Sequence, residues 1–257
     1  MNERTYNKPD VTVSIVTHGH GKQVEQLVTQ VLQDSHTAQL ILTMNIEEDL
    51  DLPDDDRLIL IRNVSPKGFG ANHNLAFTHC ETAYYCTLNP DIVLRQNTFA
   101  QLLDCLTSNE AAVAGPLVLS SNGEQEDSWR KFPTAFSLAM KAIGHDTTVM
   151  KTKDQESSIC PDWIAGMCML FDAKQYSAVN GFDESIFLYY EDVDICARLW
   201  QRGLVVVACS KAAVIHNAQR ASRREWQHMK WHVCSMAKYL RRYTFRMPKV
   251  VRKNIAE

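Results

Sequence analysis

Two hydrophobic periods alternate along the first 120 residues, and this alternation narrows the fold more than any other feature. Val11-Thr-Val-Ser-Ile-Val16 is a short apolar, β-branched run and reads as a buried strand. Val24, Leu27, Val28, Val31 and Leu32 then recur at helical spacing, which predicts an amphipathic helix over 22–33. Gln39 to Met44 and Leu58 to Ile61 repeat the strand pattern on either side of an acidic loop, Glu47 to Asp56. Gly68-Phe-Gly70 leads into a predicted helix over 71–79, followed by a strand at Tyr84–Leu88, a helix over 97–107 and a strand at Ala112–Leu119. Strands that alternate with helices imply parallel βαβ units with right-handed crossovers. The second half is less regular. Its pattern predicts a helix near 135–143, a strand over Trp163–Phe171 and a helix over Glu191–Arg202 stopped by Gly203. Two short strands, Leu204–Ala208 and Ala213–Ile215, and a helix over 223–243 complete it.

Composition removes several alternatives. With 45% apolar and 22% charged residues, the 257-residue chain is of ordinary globular make-up rather than disordered or fibrous. No apolar run approaches the roughly 18 residues that span a bilayer, and Met1 to Asp10 is polar, without a signal-peptide core. The eight cysteines form no CxxC pair, so free thiols in a reducing cytoplasm are expected. Charge is divided unevenly. Residues 1–215 hold 16 Lys and Arg against 28 Asp and Glu, whereas residues 216–257 hold 11 against 2. A basic tail on an acidic body suits a polyanionic neighbour, either nucleic acid or an anionic membrane surface, and equally a solvated helix face.

In parallel sheets of this kind the ligand lies beyond the carboxyl ends of the strands. That rule puts Thr17, Asn45 and Asn89-Pro-Asp91 on one rim. Asn89 and Asp91 offer hard oxygen ligands suited to Mg²⁺ or Mn²⁺, although the tripeptide also suits a simple turn. Tyr189-Tyr-Glu-Asp-Val-Asp194 places three carboxylates within four residues. Glu191 and Asp194 share a helix face, and a helix N-terminus favours acidic residues. A third carboxylate exceeds what capping needs and suits a general base. His216 closes the apolar run Ala213-Val-Ile215, as a ligand or as a hydrogen-bonded structural residue. The chain has neither a GxGxxG after its first strand nor a GxSxG elbow, which argues against dinucleotide chemistry and a serine nucleophile.

Taken together, the motifs resemble an inverting family-2 glycosyltransferase of the GT-A fold. The matching segments are Val13-Ser-Ile-Val-Thr-His18, Lys67-Gly-Phe-Gly-Ala-Asn72, Asn89-Pro-Asp91, Asp162-Trp-Ile-Ala-Gly166, Gly181-Phe-Asp-Glu184, Phe187 to Asp194 and Val214-Ile-His216. Arg130-Lys-Phe-Pro133 and the Asn-Pro-Asp form of the metal motif look most like bacterial O-antigen rhamnosyltransferases. The resemblance implies an α/β fold, a mixed, mainly parallel sheet flanked by helices. It implies a catalytic domain over 1–222 and a basic helical extension over 223–257. It implies Asp192 as catalytic base, and Asp91 and His216 as holders of Mg²⁺ or Mn²⁺. Thr17, His18, Asn45, Gly70, Asn72, Asn89, Asp91, Trp163, Gly166 and Glu191 would form the nucleotide-sugar site. One departure is Met44, which stands where the family commonly has an aspartate before the asparagine. The implied partners are a nucleotide-diphosphate sugar, most simply dTDP-L-rhamnose, a lipid-linked saccharide acceptor and an anionic membrane surface, with no nucleic acid. The implied location is cytoplasmic, at the inner face of a bacterial membrane. A UDP- or GDP-hexose donor, and a non-enzymatic polyanion-binding protein, are the alternatives.

Overall fold

The computed structural model describes residues 11–150, 157–217 and 226–250. In chain order the elements are β1 (Val11–Thr17), α1 (Lys22–Gln33), β2 (Thr37–Met44), β3 (Leu58–Arg62), α2 (Phe69–Phe77), β4 (Tyr84–Leu88), β5 (Ile92–Leu94) and α3 (Thr98–Ser108). There follow β6 (Ala111–Ser120), β7 (Trp129–Arg130), α4 (Ala135–Ala142), β8 (Ser158–Ile159), β9 (Trp163–Ile164), β10 (Cys168–Asp172) and α5 (Ala173–Ala178). Last come α6 (Glu191–Gln201), β11 (Val205–His216) and α7 (Trp226–Tyr243).

The main sheet runs β3-β2-β1-β4-β10-β6-β11-β5. β1 is parallel to both β2 and β4, and β2 is parallel to β3. β10 enters antiparallel between β4 and β6, and β11 is parallel to β6. The sheet is therefore mixed but mainly parallel, as expected. α1 forms for the reason the sequence gives: Val24, Leu27, Val28, Val31 and Leu32 are its buried residues and lie at i, i+3, i+4, i+7 and i+8. β1 alternates poorly because it is covered on both faces; Val11, Val13 and Ile15 are fully buried, and so are Thr12 and Ser14.

Two expectations need correction. The apolar stretch Trp163–Phe171 is not one strand: β9 pairs with β7 in a separate two-stranded sheet, and β10 begins only at Cys168. A turn at Gly166–Met167 separates them. The two predicted strands after Gly203 are one twelve-residue strand, β11, with a register shift between Cys209 and Ala213. Such a shift inserts unpaired residues that break the apolar pattern without ending the strand. The start of the helix predicted from residue 223 lies outside the described residues.

This topology positions one rim. The carboxyl ends of β1, β2, β4, β6 and β11 and the start of β10 all lie along the same side, because β10 runs in the opposite sense to them, as do β5 and β8. Leu88 is opposite Cys168, and His216 is opposite both Ser120 and Ile92.

Candidate active site

Two backbone hydrogen bonds organise the centre of the rim. Asn89 N–H donates to Met167 O (2.9 Å), and Asn217 N–H donates to Asp91 O (2.9 Å). The first ties the Asn-Pro-Asp turn to the Gly166–Met167 turn; the second ties it to the end of β11. Asp91 Oδ2 lies 3.2 Å from His216 Nε2, and His216 Nδ1 lies 2.8 Å from Glu126 Oε2. Between two carboxylates the imidazole is pushed up to about 9, chiefly by the Asp91 hydrogen bond. Burial opposes ionisation of Asp91, but the His216 hydrogen bond and charge hold its carboxyl below the usual range. Asp91 Oδ1 is buried with no hydrogen-bond partner. A buried oxygen without a donor beside an imidazole nitrogen is the donor chemistry of a divalent cation site. Among the described residues no group of three His, Cys, Asp or Glu side chains is placed to hold a metal ion by itself.

Asp192 sits on the opposite side of the Gly166–Met167 turn. Its Oδ2 accepts from Gly166 N–H (3.0 Å) and its Oδ1 from Val193 N–H (2.8 Å). Burial raises its pKa, and these two donors only partly offset that. Glu191 beside it is buried, with Oε2 lacking a partner. Burial, reinforced by the Asp192 charge, pushes Glu191 well above the usual carboxylate range. Neighbouring carboxylates with separate environments are the arrangement that lets one serve as a base while the other stays protonated.

The residues that deliver this pair are held in an uncommon backbone. Tyr189 and Tyr190 both adopt left-handed conformations, with φ of 68° and 67°. For bulky residues such geometry costs about 1–3 kcal/mol each and persists only where the surroundings over-determine it. Helix α7 supplies those surroundings. Ser235 Oγ donates to Leu188 O (2.8 Å), Tyr189 Oη meets His228 Nδ1 (3.0 Å), and the Tyr190 ring packs on His232 and Tyr239. Buried Asp194 accepts from Arg198 (2.7 Å), Arg242 (2.6 Å) and Tyr243 Oη (2.8 Å), which locks α7 onto α6.

Next to Asp192 opens a cavity of about 200 Å³, lined in part by Arg130, Lys131, Trp163, Tyr190, Glu191 and His232. Trp163 and Glu191 thus face the same space as the expected base. Gly166 contributes its amide to Asp192, and a Cβ there would meet only ordinary contacts with Asp192 and Phe69.

The other expected residues divide into two groups. His18 is exposed on the rim, with Nδ1 3.4 Å from the Asn45 amide. Thr17, Gly70 and Asn72 lie behind the rim. Thr17 is fully buried and donates to Glu48 Oε1 (2.8 Å). A Cβ on Gly70 would come within 2.6 Å of Phe182 Cβ, so glycine is required there for helix packing. Asn72 and Asn45 both hold Asn63 and the Lys67 backbone. Buried or nearly so, these amides shape the 63–67 loop rather than reach across the rim.

Two carboxylates were not anticipated. Glu48 accepts from Thr17 Oγ1, Gly19 N–H (2.6 Å) and Gly21 N–H (3.1 Å), and so clamps the loop after β1. Burial resists its charge, but those three donors hold it below the usual value. The acidic run Glu47-Glu-Asp49 directly after β2 was the available signal. Glu126, which orients His216, carried no clear signal: it is one of three acids, Glu124, Glu126 and Asp127, in an irregular stretch, brought over by the turn at Ser120–Glu124.

The chain is similar over residues 9–234 to the family described as "Glycosyltransferase like family 2". It is 26% identical over 245 residues to the rhamnosyltransferase WbbL of Escherichia coli (strain K12), covering 90% of this chain and 93% of that protein. It is 30% identical over 146 residues to the N-acetylglucosaminyl-diphospho-decaprenol L-rhamnosyltransferase of Mycobacterium tuberculosis (strain CDC 1551 / Oshkosh), over 53% of this chain and 48% of that one. Among solved structures it resembles GalNAc-T7 with UDP, GalNAc and Mn²⁺ (TM-score 0.71, 14% identity, 90% of this chain and 48% of that chain). It also resembles the mannosyltransferase PcManGT of Pyrobaculum calidifontis with GDP-Man and Mn²⁺ (TM-score 0.62, 14% identity, 92% and 65%). The chain therefore spans about half the length of the mycobacterial relative and of GalNAc-T7. These structural likenesses bear on the fold, which is that of GT-A proteins.

Proposed function

The chain belongs to the family-2 glycosyltransferases, and on that premise we propose that it transfers L-rhamnose from dTDP-L-rhamnose, with inversion, to a lipid-linked saccharide. The observation that carries the reading is Asp192. It is a carboxylate of raised pKa, held by two backbone amides at the wall of a cavity, across one turn from Asp91 and His216. Asp192 takes the proton from the acceptor hydroxyl as that oxygen attacks the anomeric carbon from the face opposite the leaving diphosphate. A single displacement needs one base and no enzyme nucleophile. Gly166 and Val193 fix the carboxylate, and Trp163 offers an aromatic face to the sugar.

Asp91 and His216 would hold a divalent cation, Mg²⁺ or Mn²⁺, whose charge offsets that of the departing diphosphate when it is bound. Glu126 fixes the orientation of His216. Asn89 and Asp91 form the turn on which the donor diphosphate rests, and His18, with the Glu48-clamped loop, borders the nucleotide. Asn45 sets that border from behind. Burial and the neighbouring Asp192 charge disfavour the charged form of Glu191.

Rhamnose as the sugar rests on the relatives, two of which are named rhamnosyltransferases, one acting on a diphospho-lipid. Such an acceptor lies at a membrane. No helix among the described residues is long and apolar enough to cross one; the exposed face of α7, with Trp226 and Met229, would meet its surface. A donor panel tests the reading. Release of dTDP from dTDP-L-rhamnose should exceed release from UDP-glucose and GDP-mannose; preference for a hexose donor would overturn the sugar and leave the family intact.

A further inference from the structure

The loop after β1 sets a histidine between two glycines, Gly19-His-Gly21, a composition that suits a phosphate cradle. The fold spends that loop's amides elsewhere. Gly19 N–H and Gly21 N–H both donate to Glu48 (2.6 and 3.1 Å), and His18 N–H donates to His20 Nδ1 (3.0 Å). Both glycines have positive φ, 84° and 51°, so the chain turns sharply on either side of His20. What the loop presents is the half-buried imidazole. Sheet register says where. Ile15 of β1 is opposite Leu88 of β4, so the loop that follows β1 stands beside the Asn89-Pro-Asp91 turn. The charges of His20 and Asp91 act on each other across that gap. Hydrogen bonds fix the tautomer. An Nδ1 that accepts from an amide N–H carries no proton, so the neutral ring holds its proton on Nε2. Thr17 Oγ1 is farther from that nitrogen, at 3.5 Å, and gives its hydrogen to Glu48. Burial favours the neutral ring by lowering its pKa, against the opposing charges of Asp91 and Glu48. Nε2 has no hydrogen-bond partner among the described residues.

A ring that holds its proton on Nε2 cannot lend that nitrogen to a metal; it can only donate a hydrogen bond from it. His216 is the opposite case, because its Nδ1 faces Glu126 and its Nε2 faces Asp91. We propose that His20 is a further residue that reads the sugar-nucleotide donor: its Nε2–H donates to a diphosphate oxygen beside Asp91, next to the divalent cation and not as one of its ligands. The inference rests on the donor diphosphate lying on the Asn89-Pro-Asp91 turn. A hydrogen-bond donor already in place there strengthens as negative charge builds on the departing diphosphate, so it serves departure as well as binding. Ionisation of the ring is no part of the role, because a proton on Nδ1 would face the His18 N–H. Glu48 is then a positioning residue, since it holds the glycine amides on both sides of His20.

Titration calorimetry in Mn²⁺ with dTDP, UDP and GDP finds which nucleoside diphosphate the wild type binds tightest, and the His20 series is read on that one. His20→Ala should weaken it about tenfold, the scale of one hydrogen bond to a charged group. Two amides separate the roles of the two ring nitrogens. His20→Gln carries an N–H about as far out as Nε2 and should restore most of the affinity. His20→Asn reaches only as far as Nδ1, so it can satisfy the His18 N–H but not the diphosphate, and should stay as weak as alanine. The reverse order, with asparagine restoring affinity and glutamine not, would make His20 a structural pin of the loop and overturn the assignment. Binding of Mn²⁺ alone, followed by its electron paramagnetic resonance, should be the same in wild type and His20→Ala. Weaker Mn²⁺ binding in the variant would make His20 a metal ligand and overturn the assignment too. A wrong choice of nucleobase shows as tighter UDP or GDP in the wild type and leaves the His20 comparison standing, so the two readings fail separately.

Discussion

As the proposed base, Asp192 would have to be both ionised enough to accept a proton and basic enough to keep it, and its surroundings suit both demands. Two amide donors stabilise the anion, and burial raises the pKa past what they restore. The charged form is the active one. Transfer should therefore fall as pH drops through a pKa above the ordinary aspartate value of about 4, and level off above it. A pH profile of kcat/KM measures that limb. Asp192→Asn should remove the limb and lower transfer by about 10²–10⁴-fold, with donor affinity near wild type by titration calorimetry. Unaltered turnover would take Asp192 out of the mechanism. On the other side of the turn, Asp91→Ala and His216→Ala should weaken donor binding in Mn²⁺, and EDTA should reproduce the loss. Glu126→Gln should do less, roughly 10–100-fold, as expected for a residue that orients a ligand. Measurement of donor Kd against Mn²⁺ concentration checks all three; donor binding unaffected by EDTA would refute the metal role.

At the scale of elements, α6 and α7 act as one unit. Asp194 is 1% exposed and meets Arg198, Arg242 and Tyr243, while Arg242 also reaches Asp183 (2.7 Å). Removing one partner of a buried ion network leaves the others uncompensated. Asp194→Asn should cost roughly 3 kcal/mol of stability, read as a lowered denaturation midpoint, and should loosen the strained Tyr189–Tyr190 turn. The sequence displayed α6 through Ile195, Leu199 and Trp200 and displayed the acids at its start. It did not display that Asp194 faces away from the site, because i,i+3 spacing fixes a shared helix face but not what that face meets. The parallel strands were legible as short apolar runs, and α1 by the helical period of its buried residues. β5, β7, β8 and β9 were not legible as separate strands, since two or three residues carry no period. The Asn45, Asn63 and Asn72 network was hidden because an amide in the sequence looks the same whether it faces a ligand or another amide.

At the scale of the whole molecule, the acidic body and basic tail meet along α7, whose two faces differ. Its inner face buries Ser235, Tyr239 and Tyr243. Its outer face leaves Trp226 91% exposed, with Met229 and Val233 one and two turns along, and Phe245 exposed beyond the helix. Phe136 and Ile143, on and just after α4, are exposed as well, and α4 and α7 both border the cavity beside Asp192. Residues 226–250 carry six Lys and Arg and no Asp or Glu. Exposed aromatics among cations suit an anionic lipid surface, where each cation contributes about 1 kcal/mol within a Debye length. Arg242 does not belong to this set, because it is spent on Asp183 and Asp194; reversing its charge would break the α6–α7 lock and confuse unfolding with release. The informative variant is Arg241, Arg246 and Lys249 all changed to Glu, paired with Trp226→Ala. Wild type should sediment with phosphatidylglycerol vesicles and not with phosphatidylcholine vesicles, and less at high salt. The triple variant should stay in the supernatant with its thermal midpoint unchanged. Trp226→Ala should weaken sedimentation at every salt concentration, since its contribution is burial of apolar surface rather than charge. Equal recovery of wild type from both lipids would refute membrane docking, and the acceptor would then have to reach Asp192 from solution.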